Sequence, residues 1–120
     1  MATLSLSMIV KDEAQNLPRC LASVKSVADE IIMIDTGSGD DTPMIAEAAG
    51  AKVNFLMWSD DFSAARNASL DQATKDWILV LDADETLTIQ GLELIRSIKA
   101  EKPLGQIDPE DLLMVTMTRR

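Results

Sequence analysis

Short apolar runs recur along the chain and predict its strands. They cover residues 4–10, 30–35, 52–57 and 77–81, and a further run lies at 112–118. Residues 31–34 and 77–81 contain no charged side chain, which is typical of strands that are covered on both faces. We therefore expect a sheet with buried strands.

The segments between these runs have the spacing of helices. Leu17, Leu21 and Val24 lie at i, i+4 and i+7, on one face, and Asn16 precedes them as a helix cap. Cys20 falls in the same apolar pattern, so we expect it to pack in the core rather than to react. The same interpretation as core residues applies to four methionines: Met8, Met33, Met44 and Met57.

Three further helices are expected. One has Thr42 as its cap and Pro43 at its first position, and Gly50 offers a left-handed stop. Another covers about 61–73. Thr88 caps the last, whose apolar face is formed by Ile89, Leu92, Ile95 and Ile98.

Alternation of strands and helices predicts an α/β fold, with a doubly wound, mostly parallel sheet and flanking helices. A chain of 120 residues seldom builds two cores, so residues 1–120 are expected to be one domain or part of one. The segment 101–110 contains proline and glycine and predicts a loop, with a last strand within 111–120.

Composition excludes several kinds of function. The formal charge of −9 repels phosphate backbones, so we expect no binding to nucleic acid. The sequence has no histidine, which leaves carboxylates as the acid/base and metal-binding groups. No apolar run is long enough to span a bilayer, and a single cysteine fits a reducing, cytoplasmic setting.

Acidic residues follow three of the predicted strands. Glu13 comes after the first strand, Asp35 ends the second, and Asp82 and Asp84 follow the fourth. Parallel strands end at one edge of a sheet, so these carboxylates are expected to meet there. Asp82 and Asp84 are suited to Mg²⁺ or Mn²⁺ on a phosphate ligand, although the same acids could serve only as turn or cap residues.

Two other features have alternative interpretations. Arg66 lies at helical spacing between Phe62 and Leu70, so its guanidinium either faces inward beside Asp35 or a bound anion, or extends to solvent along its aliphatic stem. The turn at 36–41 could cradle a phosphate, but its acids favour an ordinary tight turn.

Four ordered segments together resemble the amino-terminal half of a family 2 glycosyltransferase with a GT-A fold. They are Ser-Met-Ile-Val-Lys-Asp-Glu at 7–13, Glu-Ile-Ile-Met-Ile-Asp-Thr-Gly-Ser at 30–38, Asp-Phe-Ser-Ala-Ala-Arg-Asn at 61–67 and Leu-Val-Leu-Asp-Ala-Asp-Glu at 79–85. The resemblance implies a Rossmann-like nucleotide-sugar-binding core at 7–85 and sugar transfer from a nucleoside diphosphate donor to an acceptor hydroxyl, with inversion.

The resemblance also implies roles for individual residues. Glu13 would lie near the nucleoside, Asp35 would hydrogen-bond the base, and Arg66 would lie by the base and diphosphate. Asp82 would approach the ribose, and Asp84 would hold Mn²⁺ or Mg²⁺ on the diphosphate. A general base is expected in a later acceptor-binding half, so this chain is interpreted as a partial, donor-binding transferase.

Two other functions stay open at this point. Asp82 to Thr86 also resembles the DxDxT motif of haloacid dehalogenase-like phosphatases, in which Asp82 would attack phosphate and Asp84 would act as acid/base. Alternatively, the chain is a non-catalytic nucleotide-binding or interaction module. The apolar strand at 112–118 would then pair at a sheet edge, for example with a second copy.

Overall fold

Helices and strands alternate in the computed structural model, which describes residues 2–58, 62–100 and 116–119. Within those ranges the order is β1 Leu4–Val10, α1 Leu17–Val24, β2 Glu30–Asp35, α2 Thr42–Ala48, β3 Lys52–Phe55, α3 Phe62–Gln72, β4 Trp77–Val80, α4 Ile89–Lys99 and β5 Thr116–Arg119. None of the helices in this part of the chain is both long and apolar enough to cross a bilayer.

The strands form one sheet in the order β3-β2-β1-β4-β5. The first four are mutually parallel, and β5 runs antiparallel to β4. This arrangement confirms the predicted α/β fold with a mostly parallel sheet. It also confirms a last strand, at 116–119, whereas the predicted loop at 101–110 and residues 111–115 lie outside the described residues.

Helices cover both faces of this sheet. The even-numbered residues of β1 belong to the main core, which they share with Leu17 and Cys20 of α1 and Ile95 of α4. The odd-numbered residues face α3, and the hydroxyls of Ser7 and Ser69 hydrogen-bond there at 2.5 Å. Residues that pair across parallel strands share a face, so Val10 and its register partner Asp35 lie on the side of α1.

The predicted helix ends are confirmed at Thr88 and Gly50 but wrong at Thr42, because Thr42 is the first residue of α2 and Asp41 is its N-cap. Three side chains are also not where the pattern put them. Thr88 caps α4 by accepting a hydrogen bond from the Gly91 N–H at 3.0 Å, and Gly50 has φ +88° after α2. The predictions that Ile89, Met44 and Met57 lie in the core are wrong, because all three are exposed. They lie at the ends of elements, where helical or strand spacing continues but no neighbouring layer covers them.

The buried carboxylate of Glu30 stabilises the edge of the sheet at which the parallel strands begin. Glu30 accepts hydrogen bonds from Ser5 Oγ at 2.6 Å, from the Thr74 N–H at 3.0 Å and from Lys52 Nζ at 2.9 Å. Burial would raise the pKa of Glu30, but these hydrogen bonds outweigh it and lower the pKa to about 2. Glu30 thus links β1, β2, β3 and the turn before β4.

Candidate functional site

The carboxyl ends of four parallel strands meet at one edge of the sheet. Val10 is the register partner of Asp35, and Leu81 continues β4 with a backbone hydrogen bond to Ser7. One strand, β1, separates Asp35 from the loop that begins at Asp82, which corresponds to about 10 Å across the sheet. The strand order thus confirms that Asp35 and the loop that begins at Asp82 lie at the same edge of the sheet.

Asp35 is buried at this edge, and only one of its two carboxylate oxygens accepts a hydrogen bond from the described residues. Its Oδ1 accepts hydrogen bonds from the N–H groups of Gly37 at 2.9 Å and Ser38 at 2.8 Å. Its Oδ2 is buried and accepts no hydrogen bond within the described residues. Gly37 has φ +123°, a left-handed value that lets the chain fold back over the carboxylate. A buried acceptor without a donor is costly, so Asp35 Oδ2 is suited to a ligand N–H or O–H.

The turn after Asp35 is bound to the loop after β1. Asp12 Oδ1 accepts a hydrogen bond from the Gly39 N–H at 2.7 Å, and the Asp12 N–H donates to Ser38 Oγ at 2.9 Å. The N–H groups at 37–39 are therefore occupied by Asp35 and Asp12. This finding rules out the phosphate cradle through those amides and supports the tight turn.

Glu13 is held in the same pair of loops. Its N–H donates to Thr42 Oγ1 at 2.9 Å, and its Oε2 accepts a hydrogen bond from Asn16 Nδ2 at 3.1 Å. Asn16 occupies the predicted N-cap position of α1, but its side chain makes no capping hydrogen bond. Asp40 accepts hydrogen bonds from the Thr42 hydroxyl and N–H, which lower the pKa of this exposed carboxylate, and from the Ala14 N–H.

Arg66 lies on the other side of the sheet from Asp35. Arg66 is half-buried on α3, and its Nη1 atom is shielded from solvent. Among the described residues, Asp35 accepts hydrogen bonds from the N–H groups of Gly37 and Ser38 on Oδ1 and none on Oδ2, so Arg66 does not bind it. Of the alternatives for Arg66, the one that places it beside Asp35 is therefore not met, since α3 covers the face opposite to that of Asp35.

The face of α3 that meets the sheet also differs from the prediction. Ala65 and Ser69, at i and i+4, are fully buried, whereas Arg66 and Leu70 are only partly covered. Small side chains bring the helix close enough for the Ser69–Ser7 hydrogen bond. The side chain of Phe62, which the prediction placed on the same face as Arg66, lies outside the described residues.

Residues 82–85 form a compact turn, and the acidic side chains of Asp82 and Asp84 are exposed to solvent. The Asp82 N–H donates to Glu85 Oε1, and the Glu85 N–H donates to the Asp82 carbonyl oxygen, both at 2.9 Å. Asp82 and Asp84 are exposed, while Ala83 between them is buried. Their carboxylates accept no hydrogen bond from the described residues and stay available to a ligand.

The buried Cys20 lies beneath this turn. Burial raises the pKa of the Cys20 thiol to about 11, and the nearby charges of Glu85, Asp84 and Asp82 add to the effect. The prediction that Cys20 packs in the core is confirmed, since the side chain is fully buried in the main cluster.

Metal binding at this edge depends on a ligand. In the part of the chain that the structure describes, no three Cys, Asp or Glu side chains are grouped closely enough to hold an ion. Mg²⁺ and Mn²⁺ often take one or two carboxylates and complete their shell with phosphate oxygens and water. Asp82 and Asp84 fit that pattern in the type of their donor atoms.

The sequence does not indicate the hydrogen bonds that Asp12, Ser38, Asp40 and Thr42 form between the two loops. Ser38 and Asp40 are predicted only as part of the turn at 36–41, and Thr42 only as a helix cap. Their connections join loops that are 26 to 29 residues apart in sequence. The only local signal was the density of short polar residues in both loops at the same edge.

The sequence matches the family described as glycosyl transferase family 2 over residues 5–108. A TPR repeat-containing protein of Synechococcus elongatus is 54% identical over 119 residues, which are 99% of this chain and 28% of that protein. The SPbeta prophage-derived glycosyltransferase SunS of Bacillus subtilis is 38% identical over 84 residues, which are 68% of this chain and 20% of that protein. The chain thus spans less than a third of the length of these curated relatives.

Solved structures share the fold. Staphylococcus aureus TarS has a TM-score of 0.70 at 23% identity, and the match covers 82% of this chain and 32% of that chain. Glucosyl-3-phosphoglycerate synthase from Mycobacterium tuberculosis, in complex with Mn²⁺ and UDP-glucose, has a TM-score of 0.65 at 22% identity, covering 82% and 39%. The family match favours the transferase interpretation of the chain over the phosphatase interpretation. This chain belongs to glycosyl transferase family 2.

Proposed function

We propose that this chain forms the donor-binding part of a glycosyltransferase that moves a sugar from a nucleoside diphosphate to an acceptor hydroxyl. Residues 7–85 form the nucleotide-sugar-binding core of the domain. The family membership supports the reaction class, and the solved relative that holds UDP-glucose and Mn²⁺ supports the class of donor.

One observation carries the proposal: Asp35 Oδ2 is a buried acceptor at the carboxyl edge with no hydrogen bond from the described residues. The other oxygen is already bound by two backbone N–H groups, so the carboxylate is fixed in direction. An N–H of a nucleobase supplies the missing donor. This contact would offset the cost of burying an unsatisfied charged oxygen, which is about 1–3 kcal/mol or more.

The remaining site residues bind the rest of the donor. Glu13 lies near the nucleoside, and Asp82 approaches the ribose across β1 from Asp35. Arg66 contacts the diphosphate with its guanidinium, at the point where the donor reaches past the end of the sheet. We do not assign the residues that bind the acceptor or the general base that deprotonates its hydroxyl.

Asp84, with Asp82 beside it, would hold Mn²⁺ or Mg²⁺. The acidic edge repels a diphosphate, since each like-charge pair at 4 Å costs about 4 kcal/mol at an effective dielectric near 20. A dication held by Asp84 and Asp82 would reverse that sign and would supply positive charge to stabilise the leaving diphosphate. In the reaction, the acceptor oxygen attacks the anomeric carbon and the carbon–oxygen bond to the diphosphate breaks, with inversion.

Calorimetric titration tests this proposal directly. The chain would be titrated with UDP, GDP and their sugars, with and without Mn²⁺, as wild type and as Asp84→Ala. We expect metal-dependent binding that the substitution weakens by about tenfold or more. Glu47→Gln, which changes an exposed acid on α2, serves as the matched control and should bind like wild type. Equal, metal-independent affinity of wild type and Asp84→Ala would contradict the metal site.

A further inference from the structure

The loops after β1 and β2 are joined by hydrogen bonds that end at Asp35. Ser38 uses its N–H to bind Asp35 Oδ1 and its hydroxyl to accept from the Asp12 N–H. Asp12 then accepts from the Gly39 N–H through its own carboxylate. Asp12 is thus bound to two consecutive residues, Ser38 and Gly39, of the turn that orients Asp35.

The backbone of Asp12 is adapted to this contact. Its φ is +53°, and it is the one non-glycine residue with a positive φ in the part of the chain that the structure describes. Few non-glycine residues adopt this left-handed conformation, although aspartate and asparagine tolerate it better than most. The side chain is exposed, so burial of apolar surface does not explain the conformation. The two hydrogen bonds to the neighbouring loop do.

We infer that Asp12 is a positioning residue for Asp35. By holding Gly39 and Ser38, it fixes the turn at 37–39 over Asp35 Oδ1 and leaves Oδ2 directed at the nucleobase. The functional half of this inference rests on the proposed function. It assigns to Asp12 an effect on recognition of the base, without contact to the donor.

Two substitutions separate this role from a general effect on folding. Asp12→Gly accepts φ +53° without strain but removes the acceptor for Gly39. Asp12→Asn keeps an Oδ1 acceptor and also tolerates the left-handed conformation. Glu47→Gln is the control. Amide hydrogen exchange by NMR reports on the N–H groups of Gly37, Ser38 and Gly39 without any ligand.

For wild type and the variants, titration would use whichever of UDP and GDP wild type binds, and inorganic pyrophosphate with Mn²⁺ as a ligand without a base. In Asp12→Gly we expect faster exchange at all three amides and about tenfold weaker nucleotide binding, which corresponds to one charged hydrogen bond. Pyrophosphate affinity should stay the same, and Asp12→Asn should restore most of the nucleotide affinity.

Other results would overturn the inference. If exchange quickens only at Gly39 while Gly37, Ser38 and nucleotide affinity are unchanged, Asp12 does not position Asp35. Equal loss of nucleotide and pyrophosphate affinity would also contradict it, because the effect would then not concern the base. If wild type binds neither nucleotide, the proposed function fails, and the exchange data alone still decide whether Asp12 fixes the turn.

Discussion

The thiol of Cys20 donates a hydrogen bond to the backbone carbonyl oxygen of Asp82 across 3.6 Å and so links α1 to the turn that carries Asp84. The next turn of α1 makes a second link, because Ser23 Oγ accepts a hydrogen bond from the Leu87 N–H at 3.1 Å. The loop after β4 is therefore fixed to α1 at both ends. Its acids project from a rigid turn.

The position of Cys20 predicts an unreactive thiol. Burial and the charges of Glu85, Asp84 and Asp82 raise the pKa of Cys20 to about 11, so at pH 8 roughly one thiol in a thousand is ionised. We expect iodoacetamide, in metal-free buffer, to alkylate the native chain at least about 100-fold more slowly than the urea-unfolded chain. Mass spectrometry of quenched samples measures both rates. Similar rates would mean that the turn over Cys20 opens readily.

Glu30 predicts an acid-sensitive contribution to stability. The pKa of Glu30 is about 2 in the folded chain against an ordinary glutamate value of 4.5, so its contribution is fully present above about pH 4.5. It is lost as the pH falls from 4.5 toward 2, because Glu30 then takes up a proton in the unfolded chain while it stays ionised in the folded chain. We expect Glu30→Gln to lower the free energy of unfolding by about 2–3 kcal/mol at pH 7.

Chemical denaturation between pH 7 and pH 3 checks this dependence. The difference between wild type and Glu30→Gln should narrow as the pH falls. Lys52→Gln is the matched control, since 63% of the Lys52 side chain is exposed and its ion pair with Glu30 should contribute about 1 kcal/mol or less. A difference that stays constant with pH would contradict the role of the charged carboxylate.

The Ser7–Ser69 pair predicts a large coupling between α3 and the sheet. Both residues are completely buried, so Ser69→Ala alone leaves the Ser7 hydroxyl without this partner and should cost about 1–3 kcal/mol. The double variant Ser7→Ala with Ser69→Ala removes both polar groups and should cost less than the sum of the single changes. A double-mutant cycle by urea unfolding measures the coupling. Strict additivity would show that the hydrogen bond contributes nothing.

The sequence was sufficient to predict the sheet and the edge at which its acids meet. Alternating apolar runs and helices require parallel strands, and parallel strands place Asp35 and Asp82 at the same edge. The contacts of individual side chains are harder to predict from the sequence. Glu30 begins a strand in the sequence, but its partner Thr74 is 44 residues away, and nothing local marks the pair.

The orientation of Arg66, which the sequence left open, depends on a similar long-range feature. Spacing along α3 favoured a face with the large side chains Phe62 and Leu70, whereas the helix packs through Ala65 and Ser69. Close approach of a helix to a sheet favours small residues, and a hydrophobicity pattern gives them little weight. α3 packs on one face of the sheet, and the register of β2 with β1 places Asp35 on the other face. Arg66 therefore cannot pair directly with Asp35.

Asp35→Asn separates binding from folding most sharply. The asparagine carbonyl can keep the hydrogen bonds from Gly37 and Ser38, while an NH₂ group replaces the buried Oδ2. Removing a buried charged oxygen without a donor should leave the free energy of unfolding unchanged or raise it by up to about 1 kcal/mol. Loss of the acceptor should weaken nucleotide binding by about 10- to 100-fold.

Titration calorimetry and urea unfolding on the same preparations measure both effects of Asp35→Asn, with Asp71→Asn on the exposed surface of α3 as the control. Weaker binding by an equally stable chain is the expected result, because Oδ2 contributes to the ligand contact and not to the folded chain. A variant that is less stable and still binds nucleotide like wild type would mean that Asp35 only holds its own turn. The base would then have to be recognised elsewhere along the edge.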